Sequence, residues 1–119
     1  MKKLLATLLL LLGAVSLYAA DQPSFPGGDQ ALKKYLVENL KYPAQASENG
    51  IEGNVPLQFI VKADGTITSV KVTRMIDPDL EAEAIRLVKS MPAWTPATKD
   101  GKPVDATATL EVEFRLPGD

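Results

Sequence analysis

From Val104 to Leu116 every even-numbered residue is apolar (Val104, Ala106, Ala108, Leu110, Val112, Phe114, Leu116), and every residue between them is polar or charged. Successive side chains on a strand point to opposite faces. This spacing therefore predicts a half-buried β-strand, with the even set on a core and Asp105, Thr107, Thr109, Glu111, Glu113 and Arg115 facing water. With no later segment to pair on its far side, the strand is expected at the edge of a sheet. An edge exposes a row of unpaired backbone donors and acceptors, which is either blunted with charge or used to recruit a further strand.

The start of the chain has a different character. Lys2 and Lys3 lead into the apolar run Leu4 to Leu12, and small residues follow at Ala19 and Ala20, the pattern of a secretory signal peptide. Residues 1–20 are expected to be removed, leaving one domain at 21–119. The alternative is an uncleaved N-terminal anchor, because Leu4 to Ala20 carries no charge and approaches the ~20 residues of a spanning helix. Without Lys2 and Lys3, Lys+Arg falls from 13 to 11 against 15 Asp+Glu, so the net charge moves from -2 to -4. That balance argues against nucleic acid as a partner, since phosphate binding draws on clustered Lys and Arg. An exported chain without cysteine fits a bacterial periplasm.

Asp21 to Gly28 is too rich in proline and glycine for regular structure and is expected as a loop pinned by Phe25. Asp29 is placed to cap a helix whose apolar positions Leu32, Tyr35, Leu36 and Leu40 follow helical spacing, ending near Lys41. Pro43 is suited to open a short helix through Glu48, which Asn49-Gly50 stops. Val55, Leu57, Phe59 and Val61 alternate with Asn54, Pro56, Gln58 and Ile60 as a strand, and Asp64-Gly65 signals a hairpin into a return strand from Thr66 to Arg74. Val70 and Val72 are out of phase with Ile67, which predicts a bulge or local twist near Thr68. Pro56 must lie near the start of its strand or on a side without a partner.

Asp77-Pro78-Asp79 opens a third helix, with Asp77 as the capping carboxylate, proline in the first turn and the buried stripe Leu80, Ala84, Leu87, Val88 and Met91. A loop from Pro92 to Pro103, holding Trp94 and the turn Asp100-Gly101, leads to the final strand. This order predicts an α+β domain with a three-stranded antiparallel sheet in the order 2-1-3, helices packed on one face and the last strand outside.

The absence of His and Cys removes the usual general base, thiol nucleophile and transition-metal ligands. Asp77, Asp79, Glu81 and Glu83 lie at the positive end of a helix, where carboxylates are favoured without calcium. An enzyme is not expected, and neither a cofactor nor a metal is.

In chain order the sequence contains Phe25-Pro26-Gly27-Gly28, Tyr42-Pro43 with Ala46, Gly50-Ile51-Glu52-Gly53, Phe59-x-Val61, Asp64-Gly65 and Val70-x-Val72. Asp77-Pro78 with Ala84, Trp94-x-Pro96 and Gly101-Lys102-Pro103-Val104 follow. In this order, from Phe25 to Leu116, these stretches resemble the TonB C-terminal domain family. The resemblance implies a TonB/TolA C-terminal-like fold in the periplasm. It further implies that the domain grips an extended segment, the TonB box of an outer-membrane receptor, as a strand added beside its last strand, in energy-coupled outer-membrane transport. The peptide-binding residues so expected are Tyr42 and Pro43 in a neighbouring loop and Asp105, Thr107, Thr109, Glu111 and Glu113 on the edge strand.

The competing reading is a non-catalytic homodimer or assembly subunit that pairs through the same edge. TonB itself has an inner-membrane helix and a long proline-rich spacer. Here about five residues separate Ala20 from Phe25, a reach under ~20 Å at roughly 3.5 Å per residue. A free-standing domain is therefore expected, with inner-membrane contact only if residues 1–20 remain attached. Trp94, a lone aromatic in a loop, is expected to pack in the core rather than to bind.

Overall fold

Two nine-residue strands, along which more buried and more exposed residues alternate, pair side by side to form the centre of the domain. The computed structural model describes residues 21–118, and the leader reading of residues 1–20 lies outside them. In chain order the elements are α1 (Asp29–Asn39), α2 (Ala44–Glu48), β1 (Gly53–Val61), β2 (Ile67–Val72), α3 (Pro78–Lys89), β3 (Ala97–Lys99), β4 (Lys102–Val104) and β5 (Ala106–Phe114). β2, β1 and β5 form an antiparallel three-stranded sheet in the order β2-β1-β5, the predicted 2-1-3 arrangement.

The register between β1 and β5 runs unbroken from Gly53 opposite Phe114 to Val61 opposite Ala106. It brings Val55, Leu57, Phe59 and Val61 onto the same face as Ala108, Val112 and Phe114. Leu80, Ala84, Leu87 and Val88 of α3 close that face into one core. Each large side chain buried there contributes roughly 1.5–3 kcal/mol.

The phase break in β2 is a bulge at Ser69. Ile60 pairs with Thr68 and Gln58 with Lys71, so Phe59 faces two residues, and Ser69 adopts φ 57°. The extra residue resets the alternation, which lets Ile67, Val70 and Val72 all pack against the core despite their spacing. Lys62 donates its backbone N–H to Thr66 O, and Thr73 donates to Pro56 O. Even-numbered β1 residues therefore turn their backbone groups toward β2. The N–H that Pro56 lacks would have pointed at Thr73, one residue past the end of β2, which is why the strand tolerates a proline there.

The β1–β2 turn is held by Gly65 N–H to Lys62 O, with Gly65 at φ 88°. A glycine in this left-handed conformation closes a three-residue hairpin loop without steric cost. At α3, Asp77 accepts the N–H groups of Asp79 and Leu80 at 3.0 and 3.1 Å, the cap predicted for it.

Three expectations are corrected. The final strand spans Ala106–Phe114 rather than Val104–Leu116, because Val104 belongs to β4. The segment Pro92–Pro103 is not all loop: Ala97–Lys99 and Lys102–Val104 pair as a small hairpin, and its turn uses Asp100 and Gly101 at φ 53° and 77°. Positive φ at both central residues matches strand twist and suits Asp-Gly. Gly28, not Asp29, caps α1, and Asp29 is its first residue, with no side-chain cap bond; the helix stops at Asn39.

Trp94 is 6% exposed, its ring lying edge-on to Phe59 at 5.1 Å and to Phe25 at 6.0 Å. Phe25 also meets Tyr35 at 5.5 Å and so pins the leading loop, while Ser24 and Thr95 exchange two backbone hydrogen bonds.

Candidate functional site

Because even-numbered β1 residues face β2, the odd-numbered ones face β5, and their partners there are Ala106, Ala108, Leu110, Val112 and Phe114. The backbone groups of Thr107, Thr109, Glu111 and Glu113 consequently point away from the sheet, along an edge on which the strand order ends. The two edges differ. β2 is six residues long, kinked at Ser69 and carries Lys71, whereas β5 is nine residues long, regular and free of proline. Bulges, prolines and charged side chains, lysine above all, are the usual protections of an edge; β5 has no bulge, proline or lysine, and its charged residues are Glu111 and Glu113.

α1 runs beside that edge. Lys33, Leu36, Val37 and Leu40 form one wall of a cavity of about 500 Å³, and Glu111, Val112, Glu113 and Arg115 form the other. A second cavity of about 270 Å³ continues along the strand between Asp29 and Leu32 on one side and Thr107 to Thr109 on the other, with the leading loop and Trp94 at its end. Val37, 82% exposed, projects from the helix at the first cavity. The helical wall of the first cavity is thus mainly apolar, and Glu111, Glu113 and Arg115 charge the side opposite. Glu113 pairs with Arg115 at 3.3 Å, and Asn54 donates to Glu111 at 3.4 Å.

Of the residues expected from the sequence, Thr107, Thr109, Glu111 and Glu113 lie together on this groove. Asp105, Tyr42 and Pro43 line neither cavity. Asp105 accepts the Ala63 N–H at 2.8 Å and meets Lys62 at 3.3 Å, fastening the β1–β2 turn to the start of β5. These contacts, the backbone hydrogen bond above all, hold its carboxyl below the usual range. Tyr42 donates its hydroxyl to Ile51 O and sets its ring edge-on to Phe114 at 5.6 Å; burial, then Glu52, push the phenol up. Pro43 precedes the first turn of α2.

The helical wall was not read from the sequence. Its signal is Val37, an apolar residue outside the Leu32, Tyr35, Leu36, Leu40 stripe, among Lys33, Lys34 and Glu38. At the acidic start of α3, Asp77 caps the helix, Glu81 accepts the Ile76 N–H at 2.7 Å and Glu83 pairs with Arg86. Among the described residues, no three His, Cys, Asp or Glu side chains converge on a metal position, and no helix is long and apolar enough to cross a membrane.

These features define a small antiparallel α+β domain with one open strand edge flanked by a helix. Residues 38–116 match the family described as the Gram-negative bacterial TonB protein C-terminal, and the chain belongs to that family. It is 27% identical over 97 residues to the protein TonB of Pseudomonas aeruginosa, covering 82% of this chain and 28% of that protein. It is 39% identical over 51 residues to the protein TonB of Helicobacter pylori strain J99, covering 42% of this chain and 18% of that one. The chain therefore spans less than a third of either relative. The fold is similar to two NMR structures of the H. pylori TonB C-terminal domain. That of residues 179–285 gives a TM-score of 0.58 at 24% identity, covering 76% of this chain and 81% of that one. That of residues 194–285 gives 0.53 at 25% identity, covering 76% and 95%.

Proposed function

We propose that this domain is a periplasmic binding module that takes up an extended segment of an outer-membrane receptor as a fourth strand beside β5, in TonB-type transport. The observation that carries the reading is the outward row of backbone groups at Thr107, Thr109, Glu111 and Glu113, unprotected by bulge or lysine and faced by α1. Backbone hydrogen bonds supply affinity in such docking, and alternate side-chain pockets supply selection. The Leu36, Val37 and Leu40 wall is positioned to accept apolar side chains from one face of the added strand. No catalytic step is assigned to it.

The test is an amide-shift titration of the monomeric 21–119 domain with a synthetic TonB-box peptide. Shifts along Thr107 to Glu113 and along Lys33 to Leu40 are expected. Shifts confined to Asp77 to Glu83, or none at β5, would overturn the assignment. A molecular mass that doubles with concentration in the absence of peptide would favour pairing of β5 with its own copy instead.

A further inference from the structure

Among the described residues, Glu83 is the one charged side chain that is buried. A carboxylate is costly to bury unless its oxygens are fully engaged, and those of Glu83 are. They accept the Lys41 backbone N–H at 2.6 Å and the Arg86 Nε and Nη2 groups at 2.7 and 2.8 Å. Arg86 Nη2 also donates to Asn39 O at 3.0 Å, and the Tyr35 hydroxyl donates to Leu87 O at 2.8 Å. The Glu83–Arg86 pair lies within α3, and the other three contacts join the C-terminal half of α1, or the two residues after it, to α3. They matter because α1 has no fully buried residue of its own. Its apolar side chains only half sink into the core, so hydrophobic burial alone leaves its distance from the sheet weakly defined.

We propose that Glu83 and Arg86 are positioning residues for the groove: by clasping Asn39 and Lys41 they fix α1 at the separation from β5 that an added strand requires, without touching that strand. The inference rests on the docking function proposed above and adds the element that regulates its affinity. A helix that wanders leaves the groove competent for only part of the time, and apparent affinity falls by that fraction.

The test uses the 21–119 domain and two readouts. The chain has no cysteine, so spin labels at Lys34→Cys and Lys71→Cys report the distance from α1 to the sheet in the absence of peptide. Neither site lines the groove. In the Glu83→Gln background this distance distribution should broaden, and the synthetic TonB-box peptide should bind on the order of tenfold more weakly, as for a wall correctly placed about a tenth of the time. Arg86→Lys, which keeps the charge but lacks the fork that reaches Glu83 and Asn39 together, should act in the same direction if Glu83→Gln fails to fold. Val88→Ala, a core change away from the clasp, should lower stability without changing either readout in the folded domain. An unchanged distribution, an unchanged affinity, or an equal loss of affinity in Val88→Ala would overturn the proposal. If the parent domain binds no peptide, the docking function itself falls, and the peptide-free distance measurement identifies that failure separately.

Discussion

The carbonyl oxygen of Gly65 accepts the backbone N–H of Trp94 at 3.0 Å, while the carbonyl oxygen of Trp94 lies 2.5 Å from where a β-carbon on Gly65 would stand. The β1–β2 turn is thus clamped against the loop before β3, through a contact that only glycine permits. Gly65 also sits at φ 88°, where an L side chain is strained. Gly65→Ala should cost at least ~2 kcal/mol, adding a backbone clash to the penalty of the left-handed conformation. Gly101→Ala is the control, since its φ is 77° but no atom lies within 4 Å of the added carbon; it should cost only ~1 kcal/mol. Urea denaturation of the two variants measures the difference.

Trp94 joins Phe59, Phe25 and the turn at Gly65, so its loss should unfasten three segments together. Trp94→Ala is expected to cost ~3–5 kcal/mol, a large share of a domain stability of ~5–15 kcal/mol. The thermal transition followed by circular dichroism should fall sharply. A domain that melts normally and loses only peptide binding would place Trp94 in the site instead.

Burial acts to raise the pKa of Glu83, but the hydrogen bonds from Arg86 and Lys41 and the charges behind them outweigh it and hold the carboxyl below its ordinary value of 4.5. A depressed carboxylate stabilises the folded state fully above 4.5, and the stabilisation is lost as pH falls through the folded value. Glu83→Gln should therefore be less stable by ~1–3 kcal/mol at neutral pH. Its stability should fall less steeply on acidification, and the two curves should converge in acid. Asp64 and Asp105 are shifted in the same direction and retain their acid dependence in the variant. Equilibrium unfolding across the acid range provides the check.

Ser69 holds a positive φ at the bulge that rephases β2. Ser69→Val should cost about 1–2 kcal/mol, because a β-branched side chain crowds the backbone there, whereas Ser69→Gly should be tolerated. Chemical denaturation distinguishes them, and equal effects would show that the bulge is not under steric control.

Thr109 lies on the outward-facing parity of β5, so its N–H makes no ladder bond to β1. Thr109→Pro should leave a folded domain but weaken peptide docking, whereas Thr109→Ala, which keeps the donor, should bind as the parent does. Heteronuclear spectra report the fold and a peptide titration reports the docking. A Thr109→Pro protein that fails to fold would mean that the edge points inward.

Alternation and capping are properties of neighbours in the chain, and they were legible. The phase of Ala106 to Phe114, the Asp77 cap and the phase slip near Thr68 followed from one-dimensional spacing, since side-chain parity and helical periodicity are imposed by the backbone itself, and the 2-1-3 arrangement followed from the order of the elements along the chain. The strands at Ala97–Lys99 and Lys102–Val104 escaped because three residues are too few to establish an alternation. Glu83 escaped because nothing in its own helix tells a buried carboxylate from one that favours a helix start; its partners include Lys41 and, through Arg86, Asn39. The groove is the clearest case. Val37 and Glu111 lie on opposite walls of it, far apart in the chain, and Val37 alone looks only like an apolar residue on a polar face. The sequence by itself determined which residues seek the core and that one strand would present an edge. Only the tertiary structure decided that the edge turns its free backbone groups outward beside α1, because that depends on which parity of β5 bonds to β1 and on where α1 packs.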